Sequence, residues 1–337
     1  MIMENYKWMI YGAYGYTGKL LVEQAIARGE RPVLAGRDPE SLEEVASKHH
    51  LSSRTFALDD IEIIKENLEG ISLVLNAAGP FVHTADIFIQ ACLGTMTHYL
   101  DITGEIQIFE HNQRYNSAAE ESQIAIISGV GFDVVPSDCL ALYTSKKIKN
   151  PVSLELGINA ISTYSPGTMK TTIENIQTSS VIRENGKIKP TKLGKNCKEI
   201  RFTHGSRRLC TIAWGDIATA YRSTGIPNIK VYMGIPRKLG RLVRTFGFLI
   251  RPLFKMNWVQ DFAKKWIDKH VKGPDKEMRE TSRSYLWCRV ENAQGESAEA
   301  WLETLEAYRL TAITGVMAAL KTIKLMYDKH LVFASTD

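Results

Sequence analysis

The chain has 337 residues, 44% hydrophobic and 23% charged, with 42 basic against 37 acidic residues for a formal net charge of +5. That balance belongs to globular proteins and excludes a disordered or fibrous chain, while the length exceeds what one core usually organises, so two domains are the default. No run approaches the roughly 18 apolar residues of a membrane-spanning helix, and five cysteines without a CxxC pair point to buried free thiols, excluding a zinc site or a disulfide framework.

In chain order, apolar runs at 7–11, 32–35, 55–58, 73–77, 98–100 and 124–127 alternate with helical patterns near 17–28, 39–49, 60–68, 83–93, 105–121 and 136–147. Continuous apolar strands separated by helices imply a parallel sheet covered on both faces, a doubly wound α/β domain. The first strand, expected from about Tyr6, leaves no room for a secretory leader, and a cytoplasmic location is the expectation.

The turn after the first strand is GAYGYTG, residues 12–18. Gly12 ends the strand in a tight turn, Gly15 lets backbone approach a pyrophosphate, and Gly18 lets the helix pack close to the sheet. The helix N-terminus then turns the N–H groups of Tyr16 and Thr17 toward phosphate. By spacing alone this is an ordinary glycine turn; between a first strand and a first helix it is a dinucleotide cradle. The second strand ends in LAGRD, where an NAD site carries a carboxylate for the ribose hydroxyls. Gly36 stands there, followed by Arg37, whose guanidinium suits a 2′-phosphate, so NADP(H) is favoured and NAD is the less favoured alternative. Asp38 either reaches the ribose or caps the next helix, and Asp59 either meets the adenine edge or caps its own. After the fourth strand, NAAGPF places Asn76, Ala78, Gly79 and Pro80 where backbone would line the nicotinamide ribose, or where a plain turn would lie.

These stretches, with HYLDITGE at 98–105, GVGFDVVPSD at 129–138, TYSPGTMKTT at 163–172, WGDIATAYRSTGIPNI at 214–229, KGPDKEMRE at 272–280 and EAYRLTAITGV at 306–316, resemble the saccharopine dehydrogenase-like oxidoreductases. Within these, the resemblance is nearest to the trans-acting enoyl reductases that serve polyketide-derived lipids. It implies a Rossmann domain at 1–147, a second α/β (α+β) substrate domain at 148–304, and a helix at 305–330 that returns to the first domain. It also implies an NADPH-dependent reductase of a C=C bond in a lipid or polyketide-type substrate, with saccharopine-type imine reduction and a non-catalytic NADP-binding sensor or scaffold as alternatives. The apolar pattern of 308–327 agrees with a buried helix, strands are expected at 154–158, 230–233, 285–290 and 298–302, and NAQG at 292–295 has the composition of a hairpin turn. The polar 183–198 is expected to be a loop.

Nicotinamide reduction needs a proton source near the hydride acceptor, at the carboxyl ends of the strands. Asp101 with Tyr99, then Asp133, are the candidates, against the alternatives of core packing for Tyr99 and helix capping for Asp133. Tyr143 and Lys147 also form YxxxK behind Ser128, the pattern of short-chain dehydrogenases, but the flanking sequence follows the other family. Between Arg237 and Gln260 no acidic residue occurs, and a basic amphipathic helix over 237–255 suits peripheral contact with a membrane or packing on a partner subunit in a homodimer. Nothing accompanies that charge to mark nucleic-acid binding.

Overall fold

The computed structural model describes residues 6–160, 163–174, 180–191, 196–234 and 257–334. The chain divides into two compact units, Met1–Phe132 with Tyr308–Asp337, and Asp133–Ala307.

In the first unit the order is β1 (Trp8–Tyr11), α1 (Tyr16–Ile26), β2 (Val33–Gly36), α2 (Pro39–His49), β3 (Ser53–Thr55), α3 (Ile61–Leu68), β4 (Leu73–Asn76), α4 (Ala85–Thr95), β5 (His98–Asp101), α5 (Ile106–Asn112), α6 (Asn116–Glu121) and β6 (Ile126–Ile127). The strands pair in parallel as β3-β2-β1-β4-β5-β6, so the order reverses between β1 and β4. Strands β1, β2, β4 and β5 are buried at every position, because helices cover both faces. One face packs Met9, Tyr11, Val74 and Tyr99 against Phe88, Ile89 and Ile64. The other packs Ile10, Leu34, Leu73 and Leu75 against Leu21 and against Val316, Ala319 and Ile323 of the C-terminal helix, Ala307–Ala334. Gly315 permits that approach, since a Cβ there would stand 2.8 Å from Leu21 Cδ2. The doubly wound reading is thus found, with two local differences. The third strand ends at Thr55, because Phe56 has already turned into the core. The helix expected over 105–121 is broken into α5, a short 3₁₀ turn at Gln113–Tyr115 and α6.

The second unit runs α7 (Val135–Ser145), β7 (Pro151–Ala160), α8 (Pro166–Glu174), β8 (Ser180–Glu184), β9 (Lys187–Thr191), β10 (Cys197–Phe202), β11 (Gly205–Thr211), α9 (Asp216–Thr224), β12 (Asn228–Met233), α10 (Asn257–His270), α11 (Lys276–Thr281), β13 (Arg283–Asn292) and β14 (Ser297–Leu305). Its mixed sheet has the order β10-β11-β12-β7-β13-β14, with β8 pairing β12 and β9. Helix α7, assigned from sequence to the first domain, packs instead on α9 and β13. The polar segment expected to be a loop forms β8, β9 and the start of β10; Arg183 within it is buried, donating to the carbonyls of Ile217 and Gly186 under the Tyr221 ring. Cys197 and Cys210 face each other across β10 and β11 and form a disulfide, which corrects the expectation of free thiols; Cys92, Cys139 and Cys288 are free. The hairpin at NAQG is present, with Asn292 accepting from the N–H groups of Gln294 and Glu296. The basic stretch 237–255 lies outside the described residues.

At the start of α9, Asp216 is wholly buried, and neither carboxylate oxygen reaches a hydrogen-bond partner; the Ser137 hydroxyl lies beside it short of bonding geometry. Desolvation, reinforced by the charges of Asp138 and Asp133, holds its carboxyl well above the usual carboxylate range. The folded state therefore keeps a proton that the unfolded chain releases. The stability this group contributes is full below the unfolded pKa and declines as pH rises toward the folded one. Asp216→Asn removes that slope, so its melting temperature should gain more over the parent at about pH 8 than at about pH 5. An equal difference at both pH values would show that Asp216 is ionised in the fold.

Candidate functional site

The carboxyl ends of β1, β2 and β4 meet where the strand order reverses, the place at which doubly wound sheets bind ligands. Gly12 takes φ +80°, a left-handed conformation, and a Cβ on it would stand 2.9 Å from the Ala78 nitrogen. GAYGYTG and NAAGPF are thus in direct backbone contact. A Cβ on Gly18 would stand 2.1 Å from the Gly12 carbonyl oxygen, so glycine is required for α1 to begin this close to the sheet. Gly15 is the N-cap of α1, no side chain caps the helix, and no acidic residue lies in its first turn. An uncapped helix N-terminus at this edge suits a diphosphate. Of the two residues expected to present N–H groups there, Thr17 lies in the first turn, and Tyr16 packs its ring edge-on against Tyr308, 5.0 Å between centroids.

At the adenosine end, Arg37 is exposed just past β2, as a residue meeting a 2′-phosphate should be. Asp38 is occupied as the N-cap of α2, accepting from Ser41 N–H at 2.8 Å, so it does not compete for the ribose. Asp60 caps α3, which leaves Asp59 exposed beside the Tyr11 hydroxyl, along with Arg37. Sequence reasoning missed Tyr14, whose ring lies over Gly36; a Cβ on Gly36 would stand 2.4 Å from Tyr14 Cε1.

Asn76, expected to touch cofactor, is wholly buried and shapes the loop instead. Its side-chain oxygen accepts from Ala78 N–H at 3.0 Å and its amide donates to Tyr99 Oη at 3.1 Å. Ala78, Gly79 and Pro80 remain on the accessible side of this loop. Glu105, which the sequence reading passed over, accepts from the N–H groups of Phe81 and Val82 and pins the far end of the loop.

The first two proton-relay candidates lie in the interior. Tyr99 and Asp101 are wholly buried, and the Tyr99 hydroxyl accepts from the Asn76 amide. Asp101 accepts from Thr103 N–H, Gly129 N–H and the Ser128 hydroxyl. Desolvation raises its carboxyl to about 6 although these donors pull the other way, and desolvation keeps the Tyr99 phenol far above its ordinary value. The hydrogen bonds of these two residues tie β4, β5 and the loops beyond them together. Asp133 lies in the second unit, where its carbonyl accepts from the Trp214 indole at 2.6 Å, and Val134, not Asp133, is the N-cap of α7. The YxxxK alternative fails on geometry: Ser128 is spent on Asp101 and Asn112, and Tyr143 is exposed in the second unit with Lys147 over its ring. Among the described residues, no cluster of His, Cys, Asp or Glu is arranged to hold a metal ion, and no helix is long and apolar enough to cross a membrane.

Two substitutions separate folding from binding. Gly18→Ala should cost about 3 kcal/mol of stability, read by denaturant unfolding, because backbone must move. Gly15→Ala, whose Cβ would be 3.2 Å from one carbonyl oxygen, should fold and lose at least about tenfold in nucleotide affinity. At Asp101, Ala should cost about 3 kcal/mol by orphaning buried donors, while Asn, which keeps an acceptor, should cost less than half of that; equal losses would point away from a donor-satisfying role.

Residues 8–127 match the family model of the saccharopine dehydrogenase NADP binding domain, and the residues present fit that cofactor. NADP(H) is therefore the nucleotide of this domain. A probable mitochondrial saccharopine dehydrogenase-like oxidoreductase of Arabidopsis thaliana is 32% identical over 163 residues, 43% of this chain and 36% of that protein. The trans-acting enoyl reductase of Mycobacterium ulcerans is 27% identical over 142 residues, 40% of this chain and 34% of that one. The chain thus covers little more than a third of the length of these relatives. Among solved structures, apo saccharopine dehydrogenase (L-Glu forming) from Saccharomyces cerevisiae has a TM-score of 0.63 at 10% identity, over 94% of this chain and 91% of that one, a likeness of fold. The similarity shown is thus to the NADP-binding domain of the saccharopine dehydrogenases over 8–127, and to about two fifths of this chain in the saccharopine dehydrogenase-like oxidoreductases.

Proposed function

We propose that the chain is an NADPH-dependent reductase acting on an activated C=C bond of a lipid or polyketide-type substrate. The observation that carries the redox part is the cradle: an uncapped α1 N-terminus, glycines at 12, 15 and 18 that only backbone contact explains, and Arg37 exposed past β2. Bound NADPH supplies the hydride. The chain's share is to hold the diphosphate on α1, to set the nicotinamide end through the loop 77–84, and to keep that loop fixed by Asn76 and Glu105. The C=C assignment rests on the partial similarity to the Mycobacterium ulcerans enoyl reductase. Imine reduction rests on the family-model match over 8–127 and on likeness of fold. A lipid substrate agrees with peripheral membrane contact of the basic stretch 237–255, and a cytoplasmic site of action and a homodimer are part of the same proposal.

The burial of Tyr99 and Asp101 favours a second reading, an NADP-binding sensor without turnover, because it removes the first unit's two candidates for proton transfer. Calorimetric titration with NADPH and NADH decides the nucleotide step. NADPH should bind at least about tenfold more tightly, and Arg37→Ala should abolish most of the difference. A folded protein that binds neither nucleotide would sink the reductase. Oxidation of NADPH by α,β-unsaturated acyl thioesters, set against an amino acid plus an aldehyde, then separates the two chemistries, and inertness toward both leaves the sensor.

A further inference from the structure

The end of β2 carries a packing relation that cofactor binding does not itself require. Gly36 is buried although it is the last residue of an interior strand at the ligand edge, and what covers it is the Tyr14 ring. Of the atoms around a Cβ built at position 36, the nearest are Tyr14 Cε1 at 2.4 Å, Cδ1 at 3.1 Å and Cζ at 3.4 Å. The ring therefore occupies the volume into which any side chain at position 36 would have to grow. The ring is itself packed against the core cluster that contains Leu34 and Ala13.

The carboxylate with which doubly wound domains accept the ribose hydroxyls of NAD grows from this end of the second strand. We propose that Tyr14 and Gly36 form a steric lock that sets nucleotide specificity: the ring excludes a ribose-binding carboxylate from β2, leaving Arg37 as the first side chain to answer the adenosine, with a 2′-phosphate as its ligand. The inference rests on the NADPH reading above and extends it to two residues that need make no contact with the phosphate. Selectivity is then held in a ring-for-side-chain exchange, and neither member can change alone without a clash or a void.

A double-mutant cycle on the full chain tests the lock without nucleotide. Gly36→Ala, the smallest possible intrusion, should lower the melting temperature by about 5 °C in the parent and by much less in Tyr14→Ala. Equal effects in both backgrounds would overturn the packing lock. Calorimetry then tests its consequence. Gly36→Asp alone should weaken NADPH at least about tenfold with little gain for NADH, whereas Tyr14→Ala/Gly36→Asp should bind NADH at least about tenfold more tightly than the single variant does. If Gly36→Asp alone melts like the parent and gains NADH affinity as fully as the double variant, Tyr14 does not gate the site. Parent protein that binds neither nucleotide removes the NADPH reading and the lock's function with it, and a lock seen in the melting cycle with no nucleotide bound would identify that failure as one of the cofactor and not of the packing.

Discussion

The Gly12 carbonyl oxygen, wedged against the place where Gly18 would carry a side chain, is the contact on which the first unit turns. It forces α1 to start hard against β1, which puts an uncapped helix N-terminus at the sheet's carboxyl edge. The same residue, Gly12, uses its left-handed φ to bring the β4 loop within backbone contact. One glycine corner thereby fixes the mutual position of the α1 N-terminus and the β4 loop. The helix dipole supplies attraction for an anion, but without the corner it would point elsewhere.

Behind that edge lies a polar core whose cost is offset by near-complete satisfaction. Asn76 with Tyr99, and Asp101 with Ser128 and Asn112, form two hydrogen-bonded groups through β4, β5 and the segment after β6. A buried carboxylate is tolerable there because backbone N–H groups of Thr103 and Gly129 meet it. Asp216 in the second unit is the contrasting case, a buried carboxyl whose oxygens reach no hydrogen-bond partner and whose desolvation pushes it well above the usual carboxylate range. The comparison shows why the first unit's groups order loops: their members are held by one another, so each loop end has one position.

Much of this was legible in the sequence where the signal is local. Strands buried on both faces are short unbroken apolar runs, so their number and the parallel sheet followed from GAYGYTG onward; so did the hairpin at NAQG, whose turn is made by Asn292 itself. Asp38 and Asp60 were readable as caps, although only geometry shows that capping leaves Asp38 unable to serve the ribose. Illegible were the features set by partners far along the chain. Strands β8 to β11 alternate polar and exposed positions in edge hairpins, so 183–198 resembled a loop. The Cys197–Cys210 pairing depends on cross-strand register, which spacing does not reveal. Tyr99 and Asp101 sit at the right strand end for catalysis, yet whether such a side chain faces the crevice or the core is decided by the neighbouring strands; here Asn76 of β4 and the donors beyond β5 and β6 draw them inward.

That outcome bears on how this edge divides its labour. In the first unit the edge at β1, β2 and β4 is built largely from backbone, glycine and alanine, with Arg37 and Asp59 as exposed charged side chains at the adenosine end. Backbone is indifferent to substrate chemistry, so a site made of it constrains the nucleotide and leaves the second reactant unspecified. The buried polar residues nearest to it are already committed to one another. Side chains that distinguish C=C from C=N substrates must therefore come from outside this network, and a family-model match over 8–127 reports on the nucleotide far more than on the substrate.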